Sequence, residues 1–335
     1  MKQFELRQFG LENLALVERE APRAGARQVL VKFHAASLNY RDLMFAKGLY
    51  NPKAKLPAVP FSDAAGEIAA AGEGVTRWKV ADRVCPIFVQ GWLEGDLSAE
   101  KHGTSLGGGD LEGVLREYAV FDESGLVRIP EHLSFEQAAT LPCAAVTAWN
   151  ALVHSGNLKA GQTVLTLGTG GVSIFAAQFA KMHGAQVIVT SSSDEKLKRA
   201  RALGVDETVN YKKTPDWEKE VFRLTNGVGV DHVVELGGAG TVAKSVNSAR
   251  TGGHIALIGV LSSGAGFNPV SLLMKGIRMQ GIFVGSRRMF EDMNRAISAN
   301  SLTPVIDKTF AFEQSREALE YMQRGAHFGK IVIRF

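Results

Sequence analysis

The chain has 335 residues, 45% of them hydrophobic and 21% charged, which is ordinary for a globular protein and long enough for two domains. Its 38 basic and 34 acidic residues leave a net charge of +4 with no long Lys/Arg run, which argues against a nucleic-acid partner. Two cysteines, Cys85 and Cys143, make no disulfide framework and fit a reducing, cytoplasmic setting. The opening residues carry charges throughout and the longest apolar stretch is broken by glycines, so neither a signal peptide nor a membrane partner is expected.

The first third reads as β-rich. Short alternating runs at 28–35, 66–71 and 118–121 predict strands, with turn signals at 72–74 and 122–125. Residues 89–113, VQGWLEGDLSAEKHGTSLGGGDLEG, are glycine-rich and lack a period; they read either as a lid carrying Trp92 or as a plain insertion. From Phe135 the pattern turns helical, with Ser134 as N-cap of a helix over 135–140 and a second helix over 144–155. Strands at 163–167, 186–190, 207–211, 230–236, 254–260 and 279–284 then alternate with helices, including 215–225, 241–249 and 270–275. That alternation predicts an α/β fold with a doubly wound parallel sheet covered on both faces. A helix over 313–324 and a strand over 330–334 close the chain.

The stretch 163–196, TVLTLGTGGVSIFAAQFAKMHGAQVIVTSSSDEK, carries the most chemistry. A buried strand runs into Gly168, Thr169, Gly170 and Gly171. Val172, Phe175, Ala176, Phe179 and Ala180 then mark one helical face, and a second strand follows. Gly168 permits the tight turn, Gly170 and Gly171 let a pyrophosphate approach the backbone, and the helix N-terminus supplies N–H groups. The last fingerprint position is Ser173, still small enough for close helix–strand packing. In this strand–turn–helix–strand context the pattern reads as a dinucleotide site rather than a plain structural turn. NAD sites usually place an acid at the end of the second strand; here stand Ser191 and Ser192, with Lys196, Lys198 and Arg199 nearby. Hydroxyls and cations suit a 2′-phosphate, so NADP(H) is the expected cofactor, although Asp194 weakens the case. Ser192 with Glu195 also reads simply as a capping box.

In order along the chain, SLNYRDLMFAKGLY (37–50), VPFSDAAGEIAAAGEGVTRWKVADRV (59–84), LPCAAVTAWNAL (141–152) and the GTGGVS turn resemble the medium-chain dehydrogenase/reductase superfamily, nearest its zinc-lacking, quinone-oxidoreductase-like branch. The resemblance covers essentially the whole chain. It implies a GroES-like β-barrel catalytic domain of residues 1–144, completed by 286–335, and a Rossmann domain of 145–285. It implies a homodimer, with strands 254–260 and 279–284 nearest the seam. It also implies that Thr147 sits beside the nicotinamide, that Gly259, Val260, Phe283 and Val284 offer backbone groups to its carboxamide, and that Lys196 and Tyr211 contact the 2′-phosphate. Tyr211 reads equally as a solvent-facing strand end.

Zinc-dependent members of the superfamily hold their metal with Cys, His and Cys. The matching positions here hold Asn39, Ser62 (beside Asp63) and Cys143, so no metal is expected. Asn39, Tyr50 and Ser62 are the catalytic candidates. Asn39 offers an amide donor to a carbonyl oxygen, and Tyr50 stands where related enoyl-thioester reductases carry a proton-donating tyrosine, or else stacks on substrate. Asp42 reads as a brace for the Asn39 loop, and His34, His102 and His154 as structural. The expected activity is NADPH-dependent hydride transfer to a quinone, enone or other small carbonyl-type acceptor. An alcohol or aldehyde dehydrogenase and a non-catalytic NADPH-binding module are the alternatives.

Overall fold

The computed structural model describes residues 1–259 and 267–335, so the expectation for Val260 lies outside the described residues. Strands β1 (Lys2–Leu6), β2 (Leu14–Glu18), β3 (Gln28–Ser37), β4 (Asp63–Ala71), β5 (Arg83–Pro86), β6 (Tyr118–Asp122) and β7 (Leu126–Arg128) come first. Then follow β8 (Thr163–Leu167), β9 (Gln186–Ser191), β10 (Glu207–Asn210), β11 (Val230–Glu235), β12 (Ala249–Leu257) and β13 (Arg278–Gly281), and last β14 (Ile306–Ala311) and β15 (Lys330–Arg334). The chain divides into two units, Met1–Val146 with Gly285–Phe335, and Thr147–Val284.

The second unit is built on a six-stranded, all-parallel sheet in the order β10-β9-β8-β11-β12-β13. This is the doubly wound order expected from the strand–helix alternation, with the topological switch point between β8 and β11. The strand sequences explain it. TVLTL, QVIVTS and VDHVVE are rich in β-branched residues and buried along nearly their whole length, as strands covered on both faces must be. Leu165, Ile188, Val233 and Ile255 form the core of this unit with Trp217 and Val246.

The first unit is a largely antiparallel sheet in the order β14-β15-β3-β4-β5-β7, with β6 also pairing β3. Its core holds Phe4, Phe33, Phe61, Ile68, Phe310 and Ile331, drawn from both ends of the chain. The register brings Ser37 opposite both Asp63 and Val332. One end of β3 therefore meets the start of β4 and the start of β15, and this corner carries the polar residues described below.

Several boundaries differ from the sequence reading. Helix 241–249 ends at Ser248, because Ala249 already opens β12; the strand expected over 254–260 begins five residues earlier and ends at Leu257, and Val260 lies outside the described residues. Strand 279–284 stops at Gly281 and the chain then turns, with Val284 at φ 48°. Helix 144–155 is part of a longer helical run from Leu141 to His154, widened by π turns at Leu141–Ala145 and Asn150–His154. The helix Arg287–Ala299 and the strands β1, β2, β5, β7 and β14 had no sequence assignment. In the 89–113 segment Trp92 is packed in. It is 4% exposed, its indole N–H donates to Gly95 O (2.8 Å), and its carbonyl accepts from Arg287 N (2.9 Å). The rest of that segment is tied down as well. The Arg41 guanidinium donates to Leu106 O at 2.7 and 2.8 Å, and the Asn51 amide to Gly108 O at 3.1 Å. No described helix is long and apolar enough to cross a membrane.

Candidate active site

The dinucleotide turn leaves the C-terminal end of β8 at the switch point, where open parallel sheets bind ligands. Gly168 has φ 78°, a conformation that glycine adopts without strain. Gly170 precedes the helix Gly171–Met182, and a Cβ there would meet nothing within 4 Å. Thr169 and Gly171 complete the turn, and Val172 lies in the first helical turn, whose N–H groups lack intrahelical partners. Ser173 is 1% exposed and donates to Leu167 O (2.8 Å), locking helix to strand.

At the tip of β9 the expected cap is corrected. Ser193, not Ser192, caps the helix Asp194–Ala202, its hydroxyl accepting from Lys196 N (3.4 Å). Ser191 is buried and its hydroxyl accepts from Ser193 N (3.3 Å), while its carbonyl accepts from Tyr211 N (3.1 Å). Ser191, Ser192 and Tyr211 thus lie on adjoining strand ends with Lys196 one helical turn on. Asp194, the residue that weakened the phosphate case, pairs with Lys213 and accepts from Asn210 Nδ2 (2.7 Å), and these contacts hold its carboxyl below the usual carboxylate range.

The loops after β11 and β12 are fastened together. Glu235 is fully buried and its Oε1 accepts from Gly237 N (2.7 Å), Gly238 N (2.9 Å) and Thr241 Oγ1 (2.6 Å). Ser245 donates to its other carboxylate oxygen. The backbone carbonyl of Glu235 accepts from Ile258 N and Gly259 N (2.9 and 3.0 Å). Gly259 lies so close to the neighbouring loop that a Cβ would stand 1.6 Å from Leu236 O. Thr147 is buried in the helical run. Of the pair Phe283 and Val284, the carbonyl of Val284 is taken by Asn150 Nδ2 (2.8 Å), whose Oδ1 accepts from Ser155 Oγ (2.8 Å). No sequence motif revealed this buried Asn150 contact.

In the first unit, Asn39 and Ser62 come together at the β3–β4–β15 corner. Asn39 Nδ2 is 3.5 Å from Ser62 Oγ, Ser62 donates to Asp63 Oδ1 (2.7 Å), and Asp63 Oδ2 accepts from Cys143 N (3.0 Å). Asp42 Oδ2 accepts from Asn39 N (2.7 Å), so this fully buried carboxylate braces the start of the helix Tyr40–Ala46. Burial pushes its pKa up to about 6, against the pull of Arg41. Sequence reasoning missed Lys330. Its buried ammonium donates to Leu38 O (2.6 Å) and Asn39 Oδ1 (2.7 Å). Burial drives the Cys143 thiol far above its ordinary range, with Asp63 adding to the effect, so Cys143 is a thiol and not a thiolate.

Tyr50 is half-buried. The Arg41 guanidinium lies over its ring, 5.0 Å from the centroid, and over Phe88 at 4.8 Å. Burial raises the phenol's pKa, so it is protonated at neutral pH. Among the described residues no three His, Cys, Asp or Glu side chains gather into a metal-holding group. The donors at the zinc-ligand positions are an amide, a hydroxyl and a neutral thiol, with an ammonium hydrogen-bonded to the amide; that set does not suit Zn²⁺. His34 stacks on Phe135 (centroids 4.4 Å apart) and lies 3.2 Å from Glu67.

Residues 25–131 match the alcohol dehydrogenase GroES-like domain, and residues 171–299 match the zinc-binding dehydrogenase family. A zinc-type alcohol dehydrogenase-like protein of Schizosaccharomyces pombe is 47% identical, covering 97% of this chain and 96% of the relative. The human quinone oxidoreductase is 28% identical over 91% of this chain and 88% of its own length. The crystal structure of an NAD-dependent alcohol dehydrogenase superposes with a TM-score of 0.91 at 34% identity, covering both chains completely. Two family models matched in chain order, with a relative this similar over nearly the full length, place the chain in the medium-chain dehydrogenase/reductase superfamily, as an NAD(P)-dependent oxidoreductase.

Proposed function

We propose that the protein is an NADPH-dependent reductase that transfers a hydride to a quinone, an enone or another activated double bond without zinc. The observation that carries this reading is the donor set of Asn39, Ser62 and Cys143, which presents neutral hydrogen-bonding groups where a metal would need thiolates and imidazole. NADP(H) is supported by Ser191, Ser192, Lys196 and Tyr211 at the β9 tip and by the neutralisation of Asp194 through Lys213. The turn Gly168–Thr169–Gly170–Gly171, with Val172 behind it, would hold the pyrophosphate. Thr147, Gly259, Val260, Phe283 and Val284 would frame the nicotinamide.

When bound, NADPH supplies the hydride. The chain's own residues then have two tasks. Asn39 Nδ2 donates to the acceptor's carbonyl oxygen and stabilises the charge that develops there, as an oxyanion-hole donor does. Tyr50, kept protonated by burial, delivers the proton that converts the resulting enolate to product. Ser62 orders Asn39 from behind. A homodimer is part of the reading, since among the described residues β13 is an edge strand of the parallel sheet. An alcohol or aldehyde dehydrogenase is the second reading, favoured by the alcohol dehydrogenase names among the relatives.

The test is turnover in chelator-treated buffer. NADPH oxidation is followed with quinones and enones, and NADP⁺ reduction with alcohols. Acceptor-dependent NADPH oxidation that survives chelation is the expected result. Activity with alcohols alone, abolished by chelation, would establish the dehydrogenase, and NADPH binding without any turnover would leave a cofactor-binding module.

A further inference from the structure

We propose that Lys330 is a positioning residue for the reaction: its ammonium fixes and polarises the Asn39 amide so that the N–H end faces the acceptor. This rests on the reading of Asn39 as the acceptor's hydrogen-bond donor.

Lys330 opens β15, is 3% exposed, and has no carboxylate within ion-pair distance among the described residues. An ammonium buried without a direct counter-ion is costly, and a Met of similar length would pack at lower cost. Fastening the strand does not explain it either, because β15 is already laddered to β3 through Val332, Ile333 and Arg334. What the charge does touch is Leu38 O and Asn39 Oδ1.

An ammonium only donates, so the amide must turn its oxygen toward Lys330 and its NH₂ away. The NH₂ then faces Ser62 Oγ at 3.5 Å, the outer limit of a hydrogen bond. Ser62 cannot turn its own proton to Asn39 without giving up Asp63, and Asp63 is held in turn by the Cys143 backbone N–H. Ser62 can therefore only accept, and it takes at most one of the two amide protons. The other remains for a ligand oxygen. A charge-assisted bond at Oδ1 withdraws electron density through the amide and makes that N–H a stronger donor. The cluster thus places a positive charge one hydrogen bond behind the donor, at the corner where zinc-dependent relatives would hold their metal.

Steady-state kinetics of K330M, N39A and the double variant test this on the best acceptor of the panel, with NADPH affinity measured separately by direct titration. K330M should lower kcat by about 10- to 100-fold while the NADPH Kd stays within about twofold. In the N39A background the same change should alter kcat by less than about twofold, because the amide that Lys330 acts on is gone. K330R, which keeps charge and donors, should stay closer to wild type than K330M. If K330M does not fold, K330Q, which keeps a donor but loses the charge, carries the same cycle with and without N39A. Additive losses, or a loss confined to NADPH affinity, would overturn the role of Lys330. Full activity in N39A would instead overturn the acceptor reading itself.

Discussion

The candidate cofactor site and the candidate acceptor site are made of different materials. The β8 turn works through backbone: Gly168 at φ 78°, open space over Gly170, and the N-terminus of the helix Gly171–Met182. The β3–β4–β15 corner works through side chains, Asn39, Asp42, Ser62, Asp63 and Lys330, gathered from positions nearly three hundred residues apart and buried together. A backbone site depends on a positive φ and on the space over its glycines staying open. A side-chain cluster is fixed by a hydrogen-bond network and fails when one member leaves. Mutations should separate the two by what they damage, cofactor affinity in one case and turnover in the other.

The largest effect belongs to the backbone side. In Gly259→Ala the new methyl would meet Leu236 O at 1.6 Å, so the loops after β11 and β12 must part. Backbone has little freedom to yield, and a loss of more than about 3 kcal/mol in stability is expected. Thermal unfolding with and without NADPH checks it; a variant that melts and binds like wild type would show the two loops to be loosely joined. Next comes Asn39→Ala. Removing one donor to a developing oxyanion costs roughly 100-fold in kcat, while the cofactor Kd should be unchanged. Loss of NADPH binding in this variant would dissolve the distinction between the sites.

The same contrast governs what could be read from the sequence. The glycine turn, both flanking strands and the helix were legible because the constraint is local: strand, glycine and helix signals sit within about thirty consecutive residues. Asn39, Ser62 and Tyr50 could be pointed to only through a family resemblance. Lys330 was invisible, since nothing near GKIVIRF says that its ammonium reaches Asn39. Asn150 was hidden in an apolar helix, although a buried amide always needs partners. The cap at Ser193 was misplaced by one residue because three consecutive serines satisfy the same pattern and only the path of the chain leaving β9 decides among them. The contacts that order the glycine-rich 89–113 segment could not be read from it, because they come from the distant residues Arg41, Asn51 and Arg287.

Acid should also tell the units apart. His232 and His254 face each other across β11 and β12, with ring centroids 5.7 Å apart, among Asp231, Arg250 and Arg278. Burial lowers both pKa values to about 4. The unfolded chain, with histidines near 6.5, binds more protons between pH 6.5 and 4, so this contribution is complete above pH 6.5 and is lost as pH falls toward 4. Asp42 has the opposite sign. Its folded pKa of about 6 exceeds the unfolded value, so its contribution grows as pH falls through 6. Acid is expected to loosen the second unit first, by an amount on the order of 3 kcal/mol for the histidine pair. Hydrogen exchange at pH 7 and pH 5 would show it, and His254→Phe should flatten the difference. Equal loosening in both units would mean that the pair does not set acid stability.

The two finest predictions concern selectivity. Ser191→Asp places a carboxylate at the β9 tip, where it would repel a 2′-phosphate and accept from a ribose hydroxyl. The NADPH-to-NADH preference should fall by about tenfold, and unchanged discrimination would remove the support for NADP(H). Tyr50→Phe is the subtler case, because the ring and its stacking under Arg41 survive and only the hydroxyl is lost. An enone reduced by hydride leaves an enolate that needs a proton on carbon, whereas a reduced quinone is a stable phenolate that water can protonate. If the buried phenol is the donor, enone turnover should drop about tenfold and quinone turnover less than about twofold. Equal losses on both acceptors would assign Tyr50 to packing against substrate. The proton would then have to come from solvent or from a group outside the Asn39 cluster, and the side-chain site would be one that polarises the acceptor without protonating it.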